Sequence, residues 1–311
     1  MDYSKLVTEG RNADSMDLDS MTALEAAALM NRMDAEIPAA VEKALPDIAA
    51  VIGKIVEAYR QGGRLVYCGA GTSGRLGVLD ASECLPTFGA GADMVTAKIA
   101  GGPAALHTAV EGAEDDAGQG RRDLQEIGFC TKDVLIALSA SGSAAYCAGA
   151  LRYARDLGAF TAGVSCVPFP AFADLCGRLI TVVIGPEILT GSTRLRAGTA
   201  TKMVLNMLTT VSMVQYGKDV ALIGIFQGAH ETKPKQYSML NQADMKLIFR
   251  LNDRKDAETV AESNGLKPLG EFADRILKLK KRKCLVVGNL EDDEGNLESR
   301  RFIEVEIANA Y

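Results

Sequence analysis

Two glycine- and hydroxyl-rich turns are the parts of this sequence best suited to bind an anion. The first, residues 69–75 (GAGTSGR), follows the apolar run RLVYC and opens a predicted helix. Glycines such as Gly71 let the backbone approach a bound group closely, and N–H groups at a helix start point toward an anion. The hydroxyls of Thr72 and Ser73 add donors. The turn lacks the Gly-Lys-Ser/Thr of a Walker loop and the ordered glycines of a dinucleotide fingerprint, so a plain tight turn is the alternative.

The second turn, residues 139–143 (SASGS), strengthens this interpretation because its context is the same. It follows the apolar run DVLIAL and precedes a predicted helix. If both runs are parallel strands of one sheet, the two turns meet at its carboxyl edge, and Ser141 and Gly142 face the first turn. A serine-rich helix cap is the alternative for one turn but is less suited to explain two. Nothing resembles the aspartate pattern that holds Mg²⁺ beside a nucleotide, so the turns favour a monophosphate.

Carboxylates supply the acid–base chemistry that a bound phosphorylated substrate would need. Glu83 lies in LDASECLPTFG among small and apolar residues, where burial would raise its pKa from about 4.3 toward neutrality. Such a carboxyl group can donate or accept a proton near pH 7. Glu114 lies in VEGAEDD beside Glu111, Asp115 and Asp116. A solvated acidic helix end is the alternative interpretation of that second segment.

The spacing of apolar residues predicts the elements that position these groups. Residues 1–60 have apolar side chains at helical spacing, with Thr22 as an N-cap. From residue 61 short apolar runs alternate with helical segments, which predicts a doubly wound parallel sheet flanked by helices, with a long helix over 194–216. We therefore expect a binding domain over 61–218 and a divergent C-terminal α/β region of unknown role over 219–311. In that region we expect helices around 240–250, 254–263 and 268–281, and strands at KCLVVG and RFIEVEIA.

Composition excludes several functional classes. The chain has 311 residues and a formal net charge of -6 without a basic tract, which argues against nucleic acid as a partner. Its seven cysteines form no C-x-x-C pair, and neither histidine has a second ligand at helical spacing, so we expect no metal site. The odd cysteine count, the polar N-terminus and the lack of an apolar run of about 18 residues predict a cytoplasmic protein that does not enter a membrane.

Several separated segments resemble the N-acetylmuramic acid 6-phosphate etherase family. They are GAGTSGRLGVLDASECLPTFG, IAGGPAALHTAVEGAEDD, GPEILTGSTRLRAGTATKMVLNMLTT and the opening LVTEGRN, and together they extend over about residues 1–218. The glucokinase regulatory protein is similar in fold and in some of these turns. In the etherase family the second turn usually reads Ser-Gly-Arg-Thr-Pro-Tyr, whereas residues 141–146 of this chain read Ser-Gly-Ser-Ala-Ala-Tyr.

This resemblance implies a sugar isomerase (SIS) type α/β fold, a homodimer with sites near its interface, and a reaction that needs no metal or other cofactor. The reaction cleaves the D-lactyl ether at C3 of the sugar phosphate and gives N-acetylglucosamine 6-phosphate and D-lactate. The catalytic groups implied by the resemblance are Glu83 and Glu114. The implied substrate-binding residues are Gly71, Thr72, Ser73, Glu111, Ser141, Gly142 and Ser192.

The position of Glu83 stays open at the level of sequence. An unbroken helix from Ser73 to Glu83 would separate these residues by ~15 Å, at about 1.5 Å per residue. That distance is too long for the phosphate and the reacting carbons of one sugar. Either the helix breaks early, or Glu83 serves the site of a second subunit.

Two other functions fit parts of the sequence. A non-catalytic sugar-phosphate sensor on the same fold is favoured by the altered second turn and the unfamiliar C-terminal region. An aldose–ketose isomerase would also use a carboxylate base, but it would not need both acidic segments. Arg194 and Arg196 could bind an anionic group such as lactate, or could lie on the surface of a helix start.

Overall fold

The computed structural model of the chain describes residues 10–218, 245–248, 254–263, 269–278, 283–291 and 297–306. The chain divides into two compact units, Met1–Ala221 and Leu222–Tyr311. Each unit has its own sheet.

A five-stranded sheet lies at the centre of the first unit. Its strands are β1 (Leu65–Gly69), β2 (Val95–Ile99), β3 (Val134–Leu138), β4 (Phe160–Ser165) and β5 (Arg178–Thr181). The order is β2-β1-β3-β4-β5 and every pair is parallel. The predicted doubly wound α/β fold with a parallel sheet is confirmed.

Helices cover both faces of this sheet. The helices of this unit are α1 (Ala23–Asp34), α2 (Ile37–Glu42), α3 (Leu45–Arg60), α4 (Gly71–Phe88), α5 (Ala117–Glu126), α6 (Ala145–Asp156) and α7 (Arg196–Tyr216). Of these, α1 packs against Ile188 and not on the sheet. Alternate residues of a strand point to opposite faces, so Tyr67 and Ile136 pack on the layer of α3, α4 and α7, whereas Cys68 and Ala137 pack on α5 and α6. Burial on both faces explains why these strands read as unbroken apolar runs.

The N-terminal helices follow their sequence signals. The Thr22 side chain accepts a hydrogen bond from the Glu25 amide, and the Glu25 carboxylate accepts one from the Thr22 amide, which makes a capping box at the start of α1. Pro46 occupies the first turn of α3, where a missing N–H costs no helical bond. The predicted long helix is confirmed as α7, although it begins at Arg196 rather than at residue 194.

Close backbone packing fixes the start of α4 on β1. A Cβ atom added at Gly74 would lie 2.6 Å from the Gly69 carbonyl oxygen and 2.7 Å from a side-chain carbon of Ile99. Only a glycine permits this approach, and it places the first turn of α4 directly above the end of β1. The helix then runs unbroken to Phe88, so the possibility of an early break is excluded.

The second unit contains a three-stranded antiparallel sheet, formed by β6 (Met245–Ile248), β7 (Lys283–Glu291) and β8 (Leu297–Glu306) in that order. Helices α8 (Arg254–Ser263) and α9 (Leu269–Lys278) pack together, and Arg254 pairs with Asp274 at 2.9 Å. The expected helix around 240–250 is wrong for residues 245–248. A short apolar run such as MKLI is compatible with either structure, and pairing with β7 makes it a strand.

Within the described residues, no helix combines the length and the apolar composition needed to cross a membrane.

We expect opposite effects when alanine replaces two helical glycines. Gly74→Ala should lower the free energy of unfolding by about 1–3 kcal/mol, because the new methyl group overlaps the Gly69 carbonyl oxygen. Gly53→Ala in α3 is the matched control: its Cβ would meet no atom within 4 Å, so it should stabilise the protein by about 0.5–1 kcal/mol. Urea unfolding measures both changes, and a Gly74→Ala variant as stable as wild type would contradict the close packing.

Candidate active site

The sheet reverses its strand order between β1 and β3. The chain leaves β1 through α4 toward β2 on one side, and leaves β3 through α6 toward β4 on the other. In open α/β sheets such a reversal leaves a crevice at the carboxyl ends of the two strands, where ligands bind. Gly69 pairs with Leu138 at these ends, and the two predicted anion-binding turns follow them directly. The prediction that both turns lie at the carboxyl ends of neighbouring strands is confirmed.

The first turn presents an uncapped helix N-terminus. The residue before α4 is Ala70, which has no side chain able to cap the helix. Within the described residues, the backbone amides of Gly71, Thr72 and Ser73 have no hydrogen-bond partner, and the first bonded amide is that of Gly74. These three residues are exposed or partly exposed. Three free donors and the positive end of the helix dipole therefore face the crevice.

The second turn is ordered by hydrogen bonds of its own and by the loop after β4. The Gly142 amide donates to the Ser139 side chain at 3.1 Å, and the hydroxyls of Ser141 and Ser143 lie 2.7 Å apart. Gly142 has φ 69°. It packs closely on Pro170, because a Cβ atom added to Gly142 would lie 2.1 Å from the Pro170 Cβ atom. The Ala171 amide donates to the Gly142 carbonyl. Ser141 stays partly exposed, so its hydroxyl can reach a ligand in the crevice.

The start of α7 approaches the first turn, but its amides are already bonded. Both oxygens of the buried Glu187 carboxylate accept hydrogen bonds, one from the Arg196 amide and one from the Ala197 amide, each at 2.9 Å. Anion binding at this helix start would have to displace that carboxylate. A Cβ added at Gly198 would lie 3.6 Å from Thr72 Cγ2 and 3.6 Å from the Thr193 carbonyl oxygen, so the segment with the predicted contact Ser192 lies near the first turn.

Arg196 is not a surface residue. Its side chain is 4% exposed and pairs with the Glu36 carboxylate at 2.7 Å. It also donates to the Pro186 carbonyl oxygen at 3.4 Å. Arg196 therefore joins the loop before α7 to the N-terminal helices, so the interpretation as a surface residue is wrong, whereas a role in binding an anionic group stays a prediction. Arg194 is exposed.

Glu114 lies on the same edge of the sheet as the two turns. It belongs to the short 3₁₀ helix Ala113–Asp115, in the connection that follows the carboxyl end of β2. This 3₁₀ helix contacts α6, which begins just after the second turn. Glu111 lies three residues before Glu114, outside this 3₁₀ helix. Both glutamates are exposed in the single chain.

Glu83 lies apart from the other candidate residues. Because α4 is unbroken and runs back along the sheet, Ser73 and Glu83 are separated by ~15 Å along the helix. Glu83 is exposed in the single chain, although its neighbours in the sequence are small and apolar. The neighbouring Leu79 and Leu85 are also about half exposed, so this surface of α4 is partly apolar.

The carboxylate that α4 does turn inward is Asp80, which none of the sequence motifs indicated. It accepts hydrogen bonds from the hydroxyls of Tyr67 and Thr209, and burial raises the pKa of its carboxyl group. Asp80 lies three residues after Gly77 and four before Cys84, which are both buried. This helical spacing could have predicted that Asp80 faces the core. Glu187, the buried cap of α7, gave no comparable signal.

No group of three or more His, Cys, Asp or Glu side chains is arranged to hold a metal ion in the part of the chain that the structure describes.

Comparisons with known proteins identify close relatives. The N-terminal SIS domain profile of the glucokinase regulatory protein matches residues 47–155. The N-acetylmuramic acid 6-phosphate etherase 2 of Vibrio cholerae is 56% identical over 215 residues, which are 69% of this chain and 70% of that protein. The etherase of Actinobacillus pleuropneumoniae is 54% identical over 215 residues, 69% of this chain and 71% of that protein. A phosphoheptose isomerase structure from Francisella tularensis is 18% identical, with a TM-score of 0.48, over 63% of this chain and 100% of that one.

Identity above one half over more than two thirds of both chains exceeds what a shared fold alone produces. The resemblance first seen in the separated sequence segments is thereby confirmed. The chain belongs to the N-acetylmuramic acid 6-phosphate etherase family.

Proposed function

We propose that this chain is a carbon–oxygen lyase that cleaves the D-lactyl ether of N-acetylmuramic acid 6-phosphate. The products are N-acetylglucosamine 6-phosphate and D-lactate, and we place the reaction in the cytoplasm. The observation that carries this proposal is the 56% identity to an etherase over 215 residues. The crevice between β1 and β3 supports it, because uncapped amides and hydroxyls there suit a phosphate group.

The phosphate binds at the first turn of α4. The amides of Gly71, Thr72 and Ser73 donate to its oxygens, and Ser141 with Gly142 closes the opposite side of the crevice. Because Glu187 already occupies the amides at the start of α7, the phosphate is directed to α4. Ser192 and Glu111 lie on the segments beside this crevice and contact the sugar.

Two carboxyl groups are sufficient for the reaction. In the open-chain sugar the C1 aldehyde acidifies the proton at C2. A carboxylate removes that proton, the C3–O bond breaks, and a carboxylic acid protonates the departing lactate oxygen. Water then adds to C3 of the enal while a proton returns to C2, so the sum of the steps is hydrolysis of the ether. We assign these proton transfers to Glu83 and Glu114.

Glu83 acts in the site of a second copy of the chain. Within one copy it lies ~15 Å from the phosphate-binding turn, whereas Glu114 lies on the same edge of the sheet as that turn. A homodimer that pairs the partly apolar surface around Leu79 and Leu85 would bury Glu83 and bring it to the other copy's crevice. Its burial would also supply the desolvation that a general acid or base at neutral pH needs.

Incubation with N-acetylmuramic acid 6-phosphate should release D-lactate, and Glu83→Gln and Glu114→Gln should each lower kcat by about 10²–10⁴-fold. Glutamine has nearly the shape of glutamate but cannot carry the proton. An enzymatic D-lactate assay measures the rate, and circular dichroism checks that the variants fold. Binding of the substrate without lactate release by the wild-type protein would instead identify a non-catalytic sugar-phosphate sensor.

Mixing the two inactive variants tests whether the site is shared. If Glu83 and Glu114 of different copies form one site, a mixed dimer of Glu83→Gln and Glu114→Gln chains holds one intact site out of two. After random exchange of subunits, about a quarter of the wild-type activity should return. Mixing each variant with itself is the control. No recovery in a mixture shown to contain mixed dimers would place both glutamates in one copy.

Solvent deuterium should appear at C2 of the product when the reaction runs in D₂O. Elimination removes the C2 hydrogen and exposes it to exchange, whereas direct displacement at C3 leaves C2 untouched. Product incubated without enzyme controls for slow exchange of the open-chain aldehyde. A shielded carboxyl group could return the same proton, so substrate deuterated at C2 is the second measurement. Full retention of hydrogen together with no primary isotope effect would contradict elimination.

A further inference from the structure

A partly buried carboxylate, Asp80, connects three elements of the fold one helical turn before Glu83. The hydroxyl of Tyr67 on β1 donates to one carboxylate oxygen at 3.1 Å. The hydroxyl of Thr209 on α7 donates to the other oxygen, also at 3.1 Å. Tyr67 and Thr209 are both buried. Loss of its bond would leave the Tyr67 hydroxyl without a partner, whereas the Thr209 hydroxyl also lies 3.1 Å from the Leu205 carbonyl oxygen of its own helix. The three side chains therefore hold α4 in one orientation against β1 and α7.

The two halves of α4 are held in different ways. The first turn is fixed by the contact of Gly74 with Gly69 and by the hydrogen bond from Arg75 Nε to the Leu106 carbonyl oxygen at 3.2 Å. The second half, residues 79–88, exposes most of its side chains and buries Cys84 and Phe88. Among the described residues, Asp80 makes all of the side-chain hydrogen bonds from this half to other elements.

We propose that Asp80 is a positioning residue: it sets the rotation of α4 about its axis so that Glu83 points toward the site it serves. The inference rests on the etherase function proposed above. Residues three apart on a helix are separated by about 60° around its axis, so any rotation that moves Asp80 moves Glu83 as well. The phosphate-binding turn is fixed separately, so loss of this network affects the chemical step more than substrate binding.

The test is the kinetics of Asp80→Asn in the full-length protein with N-acetylmuramic acid 6-phosphate. Asparagine keeps the shape but replaces one of the two acceptor oxygens with an NH₂ donor. Because Tyr67 and Thr209 donate to different carboxylate oxygens, one of these two hydrogen bonds is lost. We expect kcat to fall about 10- to 100-fold, which is typical when a reacting group is displaced by about 1 Å, while KM stays nearly constant. Thr209→Val removes one donor and should lower kcat less. The double variant should lose no more than Asp80→Asn alone, because both changes break the same network.

The difference in stability between Asp80→Asn and wild type should depend on pH. Burial raises the pKa of the Asp80 carboxyl group, so ionisation costs the folded chain more than the unfolded chain. The wild type therefore loses stability as the pH rises above the ordinary aspartate value of about 3.9 through the folded-state pKa, and asparagine does not titrate. We expect the Tm of Asp80→Asn relative to wild type to increase with pH over this window.

The other ionisable groups facing Asp80 come from each element packed around it. They are Tyr59 on α3, Tyr67 on β1, Cys84 on α4 and Lys202 on α7. Burial raises the pKa of Cys84 to about 12, and burial also raises the pKa of both tyrosines. The change of Tm with pH in the acidic range is therefore the measurement that is specific to Asp80.

Asp133→Asn is the matched control. Asp133 is 2% exposed and accepts from Arg64 at 2.7 Å and from the Cys130 amide at 3.1 Å. It connects the amino-terminal ends of β1 and β3, at the edge of the sheet opposite the crevice. This variant should lower Tm and leave kcat unchanged. A parallel fall of kcat and Tm in both variants would assign Asp80 a merely structural role and would overturn the proposal.

The experiment separates failure of this inference from failure of the proposed function. If the wild type releases lactate and kcat of Asp80→Asn stays within about threefold of it, Asp80 does not position Glu83. If the wild type releases no lactate, the etherase function fails, and hydrogen exchange then tests the positioning of α4. Amides of residues 79–88 should exchange faster in Asp80→Asn while those of residues 74–77 stay unchanged. Equal exchange in both proteins would overturn the proposal by itself.

Discussion

The parallel pairing of β1 with β3 is the constraint on which the candidate site depends. These two strands are distant in sequence, and the chain leaves them toward opposite ends of the sheet. Within residues 10–218, the turns after these two strands lead into α4 and α6 on opposite faces of the sheet, which leaves a crevice at the carboxyl ends of the pair. The glycines of the first turn then allow α4 to begin directly above β1. A bulkier residue at Gly74 would move the helix away from the strand and the donors away from the crevice.

Electrostatics differ between the starts of α4 and α7. The first amides of α4 have no partner within the described residues, whereas those of α7 are bonded to Glu187. A helix N-terminus attracts negative charge, and the fold has satisfied one of them with its own carboxylate. The start of α4 is available for a phosphate group. The same buried glutamate, together with Arg196 and Glu36, holds the segment that contains Ser192 against the N-terminal helices.

The carboxylates divide between those that the single chain buries and those that it exposes. Asp80 and Glu187 are turned inward and hold helices in place, while Glu83, Glu111 and Glu114 face solvent. Acid–base catalysis at neutral pH benefits from desolvation, which the isolated chain does not give to Glu83. A symmetric pair of chains would supply it, since the surface around Glu83 already includes exposed leucines. In the proposed dimer, α4 thus carries both the catalytic Glu83 and the surface that pairs the two chains.

The sequence by itself determined the fold class, the two turns and the family. Unbroken apolar runs predict buried parallel strands, and the glycines and hydroxyls at their ends predict an anion site, because these signals are local.

The surroundings of single side chains were decided by tertiary structure. The small and apolar neighbours of Glu83 left its burial open, and the rotation of α4 turns Asp80 inward and Glu83 outward. Residues 245–248 form a strand instead of the expected helix because β7 lies beside them. Arg196 is buried because Glu36, 160 residues earlier in the sequence, supplies the opposite charge. Burial and pairing depend on elements far apart in the chain, and no local pattern contains that information.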